Sequence, residues 1–70
     1  MAQKHDNIIY IGEQQNLRGK RAFVVALDAG PGKPVGLEFD EPIPNGHSCD
    51  GAGGKGYCWW ARRDEIKVER

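Results

Sequence analysis

The stretch GHSCDGAGGKGYCWWA, residues 46–61, contains both tryptophans and both cysteines of this 70-residue chain. Its last five residues, YCWWA, have the aromatic composition of a β-strand. Neighbouring side chains of a strand point to opposite faces, so Trp59 and Trp60 cannot both lie in one core. We therefore predict that one tryptophan packs inside and that the other lies on the surface or beneath a loop.

Four further segments are rich in β-branched and aromatic residues, and each predicts a short strand. They are residues 8–11 (IIYI), 20–27 (KRAFVVAL), 35–39 (VGLEF) and 66–68 (IKV).

Alternation along the two central strands predicts which side chains share a face. In the strand at residues 20–27, one face carries Phe23, Val25 and Leu27, and the other carries Ala22, Val24 and Ala26. In the strand at residues 35–39, the inward face carries Val35, Leu37 and Phe39. The small residues on one face of the longer strand favour coverage on both sides, as in a tight barrel.

The connections between these strands are rich in glycine, proline and polar residues. Residues 28–34 (DAGPGKP) predict a tight turn, residues 62–65 (RRDE) one turn of 3₁₀ helix, and residues 40–56 a long glycine-rich loop. Seventy residues allow one domain at most. We predict an all-β fold, a small five-stranded barrel formed by residues 8–70 after a flexible N-terminus at residues 1–7.

Charge and hydropathy exclude some classes of function. The ten basic and ten acidic residues cancel, which argues against a protein whose main ligand is a long phosphate backbone. The N-terminus has no pattern of a signal peptide, and no apolar run approaches the length of a membrane span. We therefore expect a cytoplasmic protein without membrane contact, whose two cysteines are reduced.

Residues 18–42, RGKRAFVVALDAGPGKPVGLEFDEP, resemble the first half of CAP-Gly domains, which are SH3-like barrels that bind acidic C-terminal tails of tubulin and related partners. The segment VGLEFDEP is similar to the VGVELDEP of that family, and GHSCDG at residues 46–51 is similar to its GKNDG peptide-binding loop. His47 stands where the family has lysine, the loop has one extra residue, and the strand that follows the loop in the family is missing. Tubulin binding is therefore not carried over.

The compact arrangement of GHSCDG, a glycine-rich turn, WW and a closing strand also resembles small SH3-like proteins of bacterial viruses and some bacteria. This resemblance implies an SH3-like fold and a chain encoded by a bacteriophage, acting in the cytoplasm of the host cell. By analogy with the tryptophan pair of SH3 domains, Trp59 is expected to be the outward tryptophan.

An exposed tryptophan beside a loop rich in backbone amides favours a non-catalytic module that binds a protein or peptide. The partner could be a protein of the host, and no cofactor is predicted. The residues predicted to form the peptide-binding groove are His47, Cys49, Asp50, Tyr57, Trp59 and Trp60.

A nucleic-acid-binding barrel is the alternative function, because aromatic rings and cations together suit single-stranded nucleic acid. The basic residues predicted for that function are Lys20, Arg21, Lys55, Arg62 and Arg63. Acidic neighbours of these residues weaken the alternative.

A zinc site or a thiol nucleophile would also use the glycine-rich loop. His47, Cys49, Asp50 and Cys58 have the right ligand types for zinc, but they lack the paired-cysteine spacing of strong zinc sites. A Cys–His pair would need a third group that the sequence does not assign. Structural thiols, with no metal and no catalysis, are the preferred interpretation, and a disulfide is the remaining alternative.

Overall fold

Five antiparallel strands and one 3₁₀ helix form the regular structure of residues 3–69, the part of the chain that this computed structural model describes. The elements are β1 (Asn7–Tyr10), β2 (Arg21–Leu27), β3 (Val35–Phe39), β4 (Cys58–Ala61), the 3₁₀ helix (Arg63–Glu65) and β5 (Ile66–Val68). The predicted all-β class, the five strands and the 3₁₀ turn are confirmed. The strand bounds differ from the predicted ones by one residue at most.

The strands form one sheet in the order β4-β3-β2-β1-β5. β4 and β5 are the two edges, so strand pairing does not close the sheet into a barrel. These edges are nevertheless joined by only four residues. The five Cα–Cα steps from Ala61 to Ile66 span at most about 18 Å when the chain is fully extended. In a flat sheet, β4 and β5 would be separated by four strand spacings, about 19 Å in total. Because a 3₁₀ turn shortens this connection further, the sheet must bend strongly to bring its edges together.

The main core lies on one face of this bent sheet. Its buried members come from four strands and two loops: Ile8, Tyr10, Leu17, Ala22, Val24, Val35, Leu37, Phe39, Ile43 and Ala61. The predicted inward face of β3 is thereby confirmed.

A β-bulge in β2 changes which of its side chains share a face. The register between β2 and β3 shifts between Val24 and Ala26, which leaves Val25 as the extra residue. Val24 and Leu27 consequently both pack against the main core, while Val25 belongs to a second cluster. The predicted grouping of Leu27 with Val25 is wrong for this reason.

The second face of the sheet is covered over β3 and β4 by the glycine-rich loop. Cys49 from the loop is buried against Val25 and Cys58, with Phe23, Tyr57 and Trp60 packed around them. Gly36 of β3 lies beneath this cover. A Cβ atom at Gly36 would approach the Trp60 ring to 2.9 Å and Cys49 Sγ to 3.1 Å, so the bare glycine makes room for both groups.

A buried carboxylate holds the 3₁₀ helix against β1. Glu65 accepts hydrogen bonds from the Tyr10 hydroxyl at 3.0 Å, the Arg62 amide at 2.9 Å and the Glu13 amide at 3.3 Å. Burial alone would raise the pKa of Glu65, but these donors hold that pKa below its ordinary value. Glu65 therefore carries its charge in the folded protein at neutral pH.

The N-terminal segment was predicted to be flexible. Residues 1 and 2 lie outside the described residues. In the remainder, the His5 amide donates to the Val24 carbonyl at 2.8 Å, the Val24 amide donates to the Asp6 carbonyl at 3.0 Å, and Asn7 already belongs to β1.

Within residues 3–69, no helix is long and apolar enough to cross a membrane.

Candidate functional site

The edge strand β4 presents backbone groups on its outer side. There, the His47 amide donates to the Cys58 carbonyl at 3.0 Å, and the Cys58 amide donates to the His47 carbonyl at 2.9 Å. Backbone groups alternate between the two sides of an antiparallel strand, so those of Trp60 also point outward. Among residues 3–69, no backbone partner on that side is found for Trp60.

The two tryptophans lie on opposite faces of β4, as alternation predicts. Trp59 packs against the main core, whereas Trp60 packs against the second cluster, and both side chains are half-buried. The expectation that Trp59 is the outward tryptophan is wrong. Trp59 shares a face with Ala61 in the main core, and Trp60 shares with Cys58 the face that only a loop covers.

His47 lies across the edge of β4, beside both indole rings. Its ring centroid is 6.3 Å from that of Trp59 and 6.0 Å from that of Trp60, with interplanar angles of 26° and 29°. His47 Nδ1 accepts a hydrogen bond from the Cys49 amide at 3.0 Å, which fixes the ring orientation.

Lys33 completes this group, although sequence analysis did not identify it. Lys33 Nζ lies 5.7 Å from the centroid of the Trp60 ring and 2.9 Å from Asp50 Oδ2. The contact depends on the pairing of β3 with β4 and on the path of the loop, and no local pattern in the 28–34 turn signals it. We call Lys33, His47, Asp50 and Trp60 the Trp60 cluster.

The other predicted groove residues lie beneath the loop. Cys49 is buried between the loop and the sheet. Tyr57 is half-buried at the base of the loop. A Cβ atom added at Gly54 would lie 3.4 Å from the Tyr57 ring, so the loop passes close to this ring. The carboxylate of Glu38 accepts a hydrogen bond from the Gly54 amide and so ties this part of the loop to β3.

The two thiols are free, buried and adjacent under the loop. Burial, together with the neighbouring Cys58 thiol, raises the pKa of Cys49 to about 12. Burial also raises the pKa of Cys58, against the hydrogen bond from Cys49 that lowers it. Cys58 Sγ further donates to the Gly54 carbonyl at 3.4 Å. Both cysteines are therefore protonated thiols that hold the loop on the sheet.

We predict that both thiols react only slowly with iodoacetamide in the folded protein at pH 8. A shift of the Cys49 pKa to about 12 lowers its thiolate fraction on the order of 10³-fold relative to an unfolded cysteine. Mass spectrometry should show slow labelling in buffer and rapid labelling in urea. An Ala52→Cys variant, with its new thiol at an exposed position of the same loop, should be labelled there without urea. Rapid labelling of native Cys49 would show that the loop opens readily.

Residues 3–69 contain neither a complete set of zinc ligands nor an activated thiol nucleophile. Within residues 3–69, no three His, Cys, Asp or Glu side chains converge as metal ligands. The Asp50 carboxylate faces Lys33, and His47 Nδ1 faces a backbone amide rather than a thiol. Because the Cys49 pKa is raised, no activated thiolate is available beside His47.

The predicted nucleic-acid residues do not form one free basic surface. Arg21 pairs with Glu69 at 3.2 Å, Arg63 pairs with Asp28, and Arg62 lies within 4.0 Å of several carboxylates. The partners of Arg62 are Glu13, Asp64 and Glu65. Lys55 is exposed in the glycine-rich loop and makes no ion pair within the described part of the chain.

A recess of about 140 Å³ lies at the start of β2, away from the Trp60 cluster. Its lining consists of Lys20, Arg21, Phe39, Asp40, Glu41 and Ile43. Two cations and two carboxylates cancel there, so the recess has no excess positive charge for a phosphate backbone.

Comparisons with protein-family models, with curated proteins and with solved structures found no match.

Proposed function

We propose that this chain is a small SH3-like barrel that binds a protein or peptide segment along the outer edge of β4, at the Trp60 cluster. The five short strands, the strong bend of the sheet and the 3₁₀ turn between its edge strands support the barrel. The resemblance to SH3-like proteins of bacterial viruses extends the proposal to a phage-encoded chain whose partner is a host protein.

The observation that carries the proposal is the half-buried indole of Trp60 on an edge strand, at a position whose outward backbone groups have no backbone partner within residues 3–69. Tryptophan is the residue type most enriched at the centres of protein interfaces, because it offers a large, rigid surface. The backbone of Trp60 adds a donor and an acceptor to which an extended segment can bind as an added strand. His47 already makes this kind of contact with Cys58, the other outward-facing residue of β4.

The arrangement of charges favours a protein partner over a nucleic acid. All three predicted arginines are engaged by carboxylates. A phosphate backbone would have to displace these carboxylates, whereas the Trp60 cluster lies open to a polypeptide.

The test is the affinity of peptides selected from a random displayed library on the immobilised protein. A Trp60→Ala change should weaken the selected peptides by about 2 kcal/mol or more, roughly 30-fold in Kd, as expected for a hot-spot residue. Ile11→Ala, which removes the exposed hydrophobic side chain after β1, should leave Kd unchanged.

Circular dichroism must show that the Trp60→Ala variant is folded, and Trp60→Phe provides a variant that keeps an aromatic ring over Gly36. Undiminished affinity in folded Trp60→Ala protein would refute the proposal. Binding of a single-stranded oligonucleotide that falls steeply with salt would instead favour the nucleic-acid alternative.

A further inference from the structure

The ammonium group of Lys33 occupies a small cation site within the Trp60 cluster. It lies over the ring of Trp60, at 5.7 Å from the centroid, and bonds to the Asp50 carboxylate at 2.9 Å. An aromatic face combined with a carboxylate is the chemistry by which proteins recognise lysine, arginine and other organic cations. The three residues come from three separate parts of the chain: the 28–34 turn, the glycine-rich loop and β4.

The ammonium group of Lys33 is bound weakly enough for another cation to displace it from this site. Its side chain is 39% exposed and that of Asp50 is 64% exposed, and ion pairs at such exposure contribute little to stability. Lys33 is also carried by a turn with left-handed glycines, Gly32 at φ 72° and Gly30 at φ 153°. The main chain of that turn is closed by its own hydrogen bonds, such as the Lys33 amide to the Gly30 carbonyl at 3.0 Å. The turn therefore does not need the side chain of Lys33 at Trp60.

We propose that Trp60 and Asp50 form a receptor for a lysine or arginine side chain of the partner, and that Lys33 is a tethered competitor that fills this receptor in the free protein. The proposal rests on the proposed function and specifies the chemistry of the partner. The incoming side chain replaces the ammonium group of Lys33 over the indole with another cationic group, so the Asp50 carboxylate is never left without a counter-charge. The ring of His47 flanks Trp60 and is held by the Cys49 amide, so it forms one side of the receptor.

The sign of one substitution separates this proposal from its opposite. If the partner presents a cation, Lys33→Met removes the competitor and should tighten binding. If the partner presents an acid, Lys33 is itself the binding group, and Lys33→Met should weaken binding. Methionine approximates the length of lysine without its charge, so packing on Trp60 is retained.

The experiment titrates the ¹⁵N-labelled protein with blocked pentapeptides that differ only at the central residue, which is arginine, lysine, norleucine or glutamate. The Trp60 indole N–H resonance reports binding. The arginine and lysine peptides should bind Lys33→Met about three- to ten-fold more tightly than the wild type, because the competitor no longer occupies the site. Asp50→Asn should remove their advantage over norleucine.

Several outcomes would overturn the proposal. An arginine peptide that binds Lys33→Met no better than the wild type is one, and a glutamate peptide that loses affinity in Lys33→Met is another. Equal binding of all four peptides at Trp60 would sink the cation receptor but leave the proposed peptide-binding function intact. If none of them, nor any library-selected peptide, moves the Trp60 signal, both proposals fail.

Discussion

Replacement of Glu65 with alanine is expected to cause a large loss of stability. Glu65 is 9% exposed and accepts hydrogen bonds from the Tyr10 hydroxyl and from the amides of Arg62 and Glu13. Removing a buried charge that satisfies several donors costs about 3–5 kcal/mol, because the donors are left without partners. A 70-residue domain has roughly 4–10 kcal/mol in total. Urea unfolding followed by tryptophan fluorescence should therefore show a midpoint lowered by about 30% or more.

The same interaction predicts how stability depends on pH. The pKa of Glu65 is lower in the folded protein than in the unfolded chain. Its contribution is therefore complete above the unfolded pKa, about 4.3, and is lost as pH falls through the lower folded pKa. Glu65→Gln, which retains the size of the side chain, should lose stability at pH 7 and lose less than the wild type on further acidification.

Glu41→Ala is the matched control, since this exposed glutamate forms no ion pair within residues 3–69. Its stability should lie within about 0.5 kcal/mol of the wild type. If Glu65→Ala lowered the free energy of unfolding as little as Glu41→Ala, the three hydrogen bonds to Glu65 would not hold the 3₁₀ helix in solution.

The second large effect is expected at Gly46, within the glycine-rich loop. A Cβ atom there would approach the carbonyl oxygen of Gly56 closer than 3.0 Å, with Ile43 Cγ1 at 2.9 Å. The opposing backbone cannot withdraw easily, because the Ile43 amide donates to the Gly56 carbonyl and His47 is bonded to Cys58. Gly46→Ala should therefore cost about 3 kcal/mol, at the upper end of overpacking effects.

Gly32→Ala provides the control for this substitution. Gly32 has a left-handed φ of 72° and open space around its Cα. An alanine there meets only backbone strain, which costs about 1 kcal/mol. Equal losses of unfolding free energy at the two positions, measured in urea, would show that the loop is not pressed against residue 56.

The strands could be predicted from the sequence because β-branched and aromatic runs are separated by glycine- and proline-rich turns. The bulge at Val25 could not be predicted, because the inserted residue does not interrupt the run of apolar residues in β2. Leu27 was consequently assigned to the wrong face. The sequence also predicted a barrel, but within residues 3–69 β4 and β5 are the two edges of one open sheet, and no local pattern indicates whether two edge strands pair.

The site was predicted only in part. His47, Asp50 and Trp60 were identified, and the structure brings them together. The fourth member of the cluster, Lys33, was not, because its contact with Asp50 crosses 17 residues. Cys49 and Asp50 both adopt left-handed backbone angles, with φ of 50° and 55°. These angles turn one side chain under the loop and the next into solvent, and non-glycine residues rarely signal such a conformation in their sequence.

The cover over the second face is made largely of main chain, since residues 51–56 contain four glycines and one alanine. Such a lid shields the two thiols but offers a partner almost no side chains to contact. Under the proposed function, a partner is recognised there by Trp60 and by the few groups at the margin of the lid, chiefly His47, Asp50 and Lys33. The three margin groups place no large apolar side chain in either core, so their chemistry can change while the fold persists. Under that function, a new partner would require changes at only a handful of these positions.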